Sequence, residues 1–154
     1  MLKLYTPFNP MEPKIWPEPF DDADYGFQLK WDGTRILAHI GSDGIELFNR
    51  RRRQRTLQYP EIALALRDFS GSEAILDGEI IALSAGKPSF HRVMRRDRAI
   101  DPATISYLSG LIPVTYVVFD ILILDGEDLT AAPFSHRDKV LKSLLSSKDP
   151  VEEV

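Results

Sequence analysis

A lysine beside a turn is the first residue in this sequence whose position could serve chemistry. In "FQLKWDGTRILAHI", Lys30 stands next to Trp31 and is followed at once by the turn pair Asp32-Gly33. A lysine amine is a cation when protonated and a nucleophile when neutral, so its surroundings decide its role. Most strand lysines are simply solvated, and Lys-x-Asp-Gly by itself is a weak signal.

Three residues that could take part in binding or catalysis follow this lysine along the chain. Arg35 ends "KWDGTR", Glu79 stands in the apolar "ILDGEIIAL", and Phe119 lies within "YVVFDILILDG". A carboxylate in such an apolar run is costly to bury unless it is paired, so Glu79 should have partners. Without context Phe119 is more often a core residue, and the neighbouring Asp120 suits either a structural role or assistance to a metal.

Positive charge is concentrated in the middle of a chain whose net charge is −4. Residues 50–98 hold 11 basic and 6 acidic side chains, against 8 basic and 17 acidic elsewhere. Two clusters dominate this segment, "RRRRQR" from Arg50 to Arg55 and "HRVMRRDR" from His91 to Arg98. Either could be a solvated face, but crowded arginines repel one another without an anion, and their forks suit phosphate oxygens. A polyanionic partner is favoured.

Composition excludes several classes of protein. The 154 residues, 44% hydrophobic and 27% charged, suit one soluble globular domain. The absence of cysteine excludes a disulfide framework and a thiolate metal site, and suits a reducing compartment. The three histidines are too scattered to suggest a metal site. No apolar run approaches the ~20 residues of a membrane-spanning helix, so the sequence predicts a cytoplasmic protein with no membrane partner.

The elements that must position these residues follow an α+β pattern in which strands dominate. Residues 25–31 and 34–40 are predicted as strands joined across Asp32-Gly33, and "GSDG" at 41–44 as a second hairpin turn. These segments together predict a three-stranded meander.

The rest of the chain predicts two more strands and three helices, namely strands at 73–83 and 114–126 and helices at 59–69, 89–96 and 135–145. Pro60 suits a first helical position, and Ser135, three residues before Asp138, resembles a capping box. The second of these strands is the most apolar run, which predicts a central strand buried on both faces.

Five stretches resemble the nucleotidyltransferase domain of the ATP-dependent DNA ligases, whose relatives include RNA ligases and mRNA capping enzymes. These are "LKWDGTR", which looks like the nucleotidyl-lysine motif, "NRRRRQRTLQYPEI", "ILDGEIIAL", "GKPSFHRVMRR", which is similar to a segment of bacterial repair ligases, and "YVVFDILILDG". The resemblance implies an antiparallel-sheet-rich, ATP-grasp-like adenylation domain, of which residues 1–154 would be the N-terminal part.

The resemblance also implies a reaction that uses ATP, Mg²⁺ or another divalent cation, and nicked duplex DNA, in repair or recombination. The Lys30 amine attacks the α-phosphorus of ATP to give a lysine–AMP phosphoramidate. The AMP then moves to a DNA 5′-phosphate, and a 3′-hydroxyl displaces it. Lysine amines are almost entirely protonated near pH 7, so nearby cations or desolvation must favour the neutral form.

By the same resemblance, the nucleotide is bound by Gln28, Leu29, Lys30, Arg35, Arg50, Glu79 and Phe119. Gln28 and the Leu29 backbone would read the adenine edge, and Phe119 would stack on its face. Glu79 would hydrogen-bond the ribose and Arg35 the sugar or phosphates, while Arg50 would meet the DNA 5′-phosphate. A DNA-contacting face would comprise Arg51, Arg52, Arg53, Arg55, Arg92, Arg95 and Arg96. The metal ligands are unknown.

Two departures from the ligase pattern leave alternatives open. Arg51-Arg52 replaces an Asn-Gly turn, which puts the hairpin geometry in question and adds charge. The later motifs and the OB-fold domain are missing from these 154 residues, so we expect a partial domain with an exposed apolar edge at 114–124 and little activity alone. The alternatives are a truncated, non-catalytic nucleotide- and DNA-binding module, or an RNA ligase or capping-type enzyme.

Overall fold

Strands and short helices alternate through the computed structural model, which describes residues 2–69, 71, 73–145 and 151–153. The strands are β1 (Thr34–Gly41), β2 (Gly44–Asn49), β3 (Ala74–Ile81), β4 (Leu83–Ser84), β5 (Lys87–Pro88), β6 (Thr115–Leu124), β7 (Glu127–Asp128) and β8 (Val151–Glu153). The α-helices are α1 (Pro60–Ala65), α2 (Phe90–Asp97), α3 (Pro102–Leu111) and α4 (Phe134–Leu144). Single 3₁₀ turns lie at Thr56–Gln58 and Leu66–Asp68.

The main sheet has the order β2-β1-β3-β6-β7, and β8 also pairs with β6. Its pairs are antiparallel except for β6 with β8, and β4 and β5 form a separate small hairpin. The predicted α+β class and the turn at 41–44 are confirmed. The strand predicted at 114–126 is β6, which lies inside the sheet between β3 and its later partners.

The first predicted strand is wrong, because residues 25–31 belong to no strand or sheet. β1 pairs with β2 along one edge and with β3 along the other, so neither edge is open to this segment. The three-stranded meander is therefore also wrong. The chain enters β1 through Gly33, where an added Cβ would lie 2.1 Å from the Ile80 carbonyl oxygen. Only glycine permits this close approach to the end of β3.

The helices follow the predicted positions with two differences. α1 begins at Pro60 as predicted, and α2 occupies the predicted 89–96 segment. The sequence pattern missed α3, although Asp101 caps it by accepting a hydrogen bond from the Thr104 amide. The predicted capping box on α4 is wrong, since the helix starts at Phe134 and makes no side-chain cap bond.

The hydrophobic core lies between one face of the sheet and the helices. Alternate residues of β1, β3 and β6 supply the sheet side, among them Ile36, Ala38, Leu76, Ile80, Tyr116 and Val118. The helices supply Ile62, Val93, Ile105 and Leu108. Because strand side chains alternate between faces, the intervening residues of these strands project onto the opposite face, where the polar side chains are found.

The prediction of an exposed edge at 114–124 is wrong for this structure. β8 pairs with Tyr116–Val118 of β6, and β7 pairs with Ile123 and Leu124 near its end. The Leu129 amide also donates to the Leu122 carbonyl. Among the described residues, no helix has the length and apolar character required to cross a membrane.

Candidate functional site

Polar side chains gather on the face of the sheet opposite the core, across β1, β3 and β6. Arg35 and Glu79 are directly paired residues of β1 and β3, and Asp77 lies two residues from Glu79 on the same face. On β6, Asp120 pairs with Asp77, and the register then shifts by one residue at Phe119. These residues, which are far apart in sequence, therefore occupy one small area.

Arg35 and Asp77 form a two-pronged ion pair at the centre of this face. Arg35 Nε lies 2.9 Å from Oδ1 and Nη2 2.6 Å from Oδ2, and Nη1 donates to the Met11 carbonyl. Burial raises the pKa of Asp77, whose side chain is 4% exposed, while the Arg35 bonds act in the opposite direction. The guanidinium also lies 5.6 Å from the centre of the half-buried Phe119 ring. Arg35 thus joins the carboxylate to the aromatic ring.

Glu79 brings the lysine segment into the same site. Burial raises the pKa of Glu79 to about 7, and the charges of Lys30 and Arg35 oppose this rise. A hydrogen bond from the Gly33 amide opposes it as well. A carboxylate whose pKa lies near neutrality, facing a lysine and an arginine, is typical of functional sites.

Lys30 lies exposed at the end of the segment that precedes β1. The nearby Gln28 side chain donates to the Phe119 carbonyl over 3.4 Å, which connects this segment to β6. An open groove of about 320 Å³ separates the segment from α4 and is lined by Gly26, Phe27, Gln28, Leu29, Phe134, Asp138 and Lys142. The structure thus brings Gln28, Lys30, Arg35, Glu79 and Phe119 together, and Leu29 lines the adjacent groove.

The turn after β2 carries the exposed arginines. Asn49 pairs with Ile36, so Arg50 leaves β2 at the level of Arg35. The Asn49 side chain accepts hydrogen bonds from the Arg51 and Arg53 amides, and Arg52 has a φ of 60°. A tight turn therefore forms without the Asn-Gly pair. Each of its four arginines, residues 50–53, is exposed.

The other predicted DNA-contacting arginines divide into exposed and internal residues. Arg95 is exposed, whereas Arg55 bonds Asp97 and Arg92 donates to the Leu111 carbonyl. The prediction for Arg96 is wrong, because its side chain is 1% exposed and pairs with Glu61 inside the helical layer. α2 turns this residue toward the core.

The described residues contain no group of three or more His, Cys, Asp or Glu side chains able to hold a metal ion. His39 is buried, with Nδ1 accepting from the Tyr5 amide, and burial lowers its pKa to about 4. Asp77 and Asp120 are each held by an arginine. Within the described ranges, the carboxylates therefore do not form a metal cage by themselves.

Two residues of this site were not assigned roles from the sequence. Asp77 stands in "LDGEII" and Arg137 in "SHRDK", and each completes an Arg–Asp pair. The sequence could have predicted these pairs from the two carboxylates in apolar strands. Buried Asp77 and partly buried Asp120 each require a cationic or hydrogen-bonding partner. Which cations fill that need depends on the fold.

Comparisons with known proteins identify the family of this chain. Residues 16–154 match the model of the ATP dependent DNA ligase domain. A DNA ligase of Pyrobaculum arsenaticum is 34% identical over 129 residues, which is 81% of this chain and 22% of the relative. DNA ligase C of Mycobacterium tuberculosis is 32% identical over 142 residues, or 91% of this chain and 38% of the relative.

Solved structures give the same family. The structure titled mycobacterial DNA ligase D complexed with ATP and MES has a TM-score of 0.60 and 30% identity, covering 74% of this chain and 34% of that one. The ligase domain of M. tuberculosis LigD has a TM-score of 0.58 at the same identity and coverage. This chain spans well under half the length of these relatives. By its sequence and fold, the chain belongs to the ATP-dependent DNA ligase domain family.

Proposed function

We propose that this chain is the nucleotide-binding part of an ATP-dependent DNA ligase that joins nicks through a lysine–AMP intermediate. In this proposal residues 1–154 form the N-terminal part of the adenylation domain. The observation that carries the proposal is the convergence of Lys30 and Arg35 on Glu79, beside the half-buried Phe119 ring. This combination supplies a nucleophile, cations and an aromatic face within one site.

Phe119, Glu79 and the segment before Lys30 are suited to hold ATP. A base that stacks on an aromatic side chain gains roughly 1–3 kcal/mol. The Phe119 ring is half-buried at the sheet face, so one part of its surface remains accessible to a base. The Glu79 carboxylate accepts hydrogen bonds from ribose hydroxyls when it is ionised. Gln28 and the Leu29 backbone border the groove in which the adenine edge would lie.

In the first reaction step, the neutral Lys30 amine attacks the α-phosphorus of ATP. A phosphorus–nitrogen bond forms, the bond to the bridging oxygen breaks, and pyrophosphate leaves with the electron pair. The positive charges of Arg35 and, at the same level of the sheet, Arg50 offset the negative charge of the phosphates. The AMP then passes to a DNA 5′-phosphate and is displaced by a 3′-hydroxyl.

The divalent cation of this reaction would bind mainly to the phosphates. Mg²⁺ commonly binds one or two carboxylates together with substrate phosphates and several waters. Asp77 and Asp120 are occupied by arginines, so the described residues do not supply a carboxylate cage. The chain's own contribution is to orient the nucleotide and to hold the amine near it.

Nicked duplex DNA would contact the exposed arginines, foremost Arg51, Arg52 and Arg53 after β2 and Arg95 on α2. Their exposure leaves the guanidinium groups accessible to backbone phosphates. Such contacts fix the register on the duplex and carry no sequence preference, which suits an enzyme that acts on any nick.

Intact-mass spectrometry tests the proposal. After incubation of the intact protein with ATP and Mg²⁺, the mass should increase by one AMP, as an acid-labile adduct on Lys30. Lys30→Arg should remove the adduct and preserve the fold, because arginine retains the charge but is never neutral in proteins. Lys3→Arg provides a matched control on an exposed lysine outside the site.

Two results would contradict the proposal. An adduct that persists in Lys30→Arg would exclude this lysine as the nucleophile. ATP and DNA binding without any adduct in the intact protein would instead identify the non-catalytic binding module.

A further inference from the structure

Arg137 of α4 forms an ion pair with Asp120 of β6, the residue that follows Phe119. Its Nε lies 2.7 Å from Asp120 Oδ1 and its Nη2 2.8 Å from Oδ2, which makes a two-pronged pair. The remaining nitrogen, Nη1, donates to the Ala132 carbonyl at the start of the helix. Both charged side chains are about 86% buried. Each of the three guanidinium nitrogens thus donates a hydrogen bond.

Asp120 lies at an irregular point of the sheet. Asp77 pairs with Asp120 and Gly78 with Val118, so Phe119 is the extra residue of a β-bulge in β6. A bulge bends its strand and changes the direction of the side chain it carries. The Asp120 carboxylate holds this one from two sides, since Oδ1 accepts from the Ile121 amide and from Arg137.

The same guanidinium also contacts the wall of the groove. It lies 5.8 Å from the centre of the Phe134 ring in the first turn of α4. A methyl group added at Gly26 would lie 3.5 Å from Phe134 Cε1, so this ring packs against the segment that leads to Lys30. Arg137 therefore connects the strand bearing Phe119 with the segment bearing the lysine.

We propose that Arg137 is a positioning residue for the nucleotide, because it holds the bulge that aims Phe119 and fixes α4 against the lysine segment. This inference rests on the proposed function of the site. Arg137 itself touches no reacting atom and acts through Asp120 and Phe134. Its role depends on the fork geometry, because a lysine at this position could supply the charge but not two parallel bonds to one carboxylate.

Single-turnover adenylation of Lys30 in the intact protein, measured over a range of ATP concentrations, tests the inference. We expect Arg137→Gln to raise the ATP concentration for half-maximal rate at least tenfold, because the aromatic platform is no longer held in place. Arg137→Lys should show an intermediate value. Lys139→Gln removes an exposed cation from the same helix and should change the value less than twofold.

Combining substitutions separates positioning from general stability. In a Phe119→Leu background the platform is already lost, so adding Arg137→Gln should raise the half-maximal ATP concentration by a smaller factor than it does in the wild type. Full additivity of the two changes, or a folded Arg137→Gln protein with the wild-type value, would overturn the inference. If Arg137→Gln does not fold, the same comparison in the Arg137→Lys protein decides, and a wild-type value there also overturns it.

The wild-type protein distinguishes this inference from the proposed function. If the wild-type protein forms no adduct on Lys30, that result contradicts the proposed function and the positioning role of Arg137 together. If the wild-type protein is adenylated and the Arg137→Gln protein has the same half-maximal ATP concentration, only the positioning role is contradicted.

Discussion

Glu79 is the residue of the site whose charge should change near neutral pH. Its pKa is about 7 in the folded protein, against an ordinary value of 4.5 for a glutamate in water. The folded state therefore binds this proton more tightly than the unfolded state, and the free energy of unfolding falls as pH rises from about 4.5 to about 7. Above pH 7 the cost of the buried charge is fully present.

Thermal unfolding of wild type and Glu79→Gln between about pH 5 and pH 8 measures this effect. The midpoint of the wild-type protein should fall relative to that of the variant as pH rises, because glutamine has no proton to lose. The comparison cancels groups common to both proteins, including His39, whose pKa is about 4. Parallel pH profiles for the two proteins would show that Glu79 titrates normally.

The turn that follows β2 is the element in which DNA contact can be tested. Its arginines, residues 50–53, are exposed and anchored through the Asn49 side chain. If Arg51, Arg52 and Arg53 contact phosphates, binding to a nicked duplex should weaken with salt at a log–log slope of about −0.9 per phosphate. Replacing all three with alanine should make the slope shallower by up to about 2.7.

A matched substitution at Arg67, an exposed arginine in the 3₁₀ turn after α1, should leave the slope unchanged. The slope is the informative quantity, because a general loss of folded protein reduces binding at every salt concentration alike. An unchanged slope in the triple variant would make these arginines a solvated face.

At the scale of the whole molecule, the buried Arg96 side chain of α2 links α2 to the other parts of the helical layer. It bonds Glu61 of α1 over 2.7 and 2.9 Å, the Gln58 carbonyl over 2.6 Å and the Ile112 carbonyl over 2.8 Å. Its guanidinium also lies 5.5 Å from the centre of the Tyr59 ring. Removing one partner of a buried pair leaves the other without compensation, so Arg96→Ala should cost about 3 kcal/mol of unfolding free energy.

Urea unfolding of Arg96→Ala and Arg95→Ala provides a matched test, since the two arginines are neighbours on α2. Arg95→Ala should change the free energy of unfolding by less than about 0.5 kcal/mol, because Arg95 is exposed. For DNA the order should reverse, with Arg95→Ala weakening the binding of folded protein. Equal stability losses would contradict the assignment of Arg96 to the core.

Short-range signals in the sequence determined much of the fold and indicated the candidate site residues. The glycine-rich turn at 41–44, Pro60 at the start of α1 and the apolar run of β6 are local patterns, and the structure has the predicted element at each. The family, and the order of Lys30, Glu79 and Phe119, also followed from motifs that are continuous in sequence.

Only the tertiary structure decided how distant residues meet. Residues 25–31 have strand-like composition, but both edges of β1 are already paired, so the sheet offers them no partner. The rotation of α2 turns Arg96 inward and leaves Arg95 in solvent, a distinction that a run of arginines does not contain. The pairing of Arg137 with Asp120 spans a turn and a helix start, so it depends on how α4 packs against β6. Such contacts are set by packing, and composition and spacing do not encode them individually.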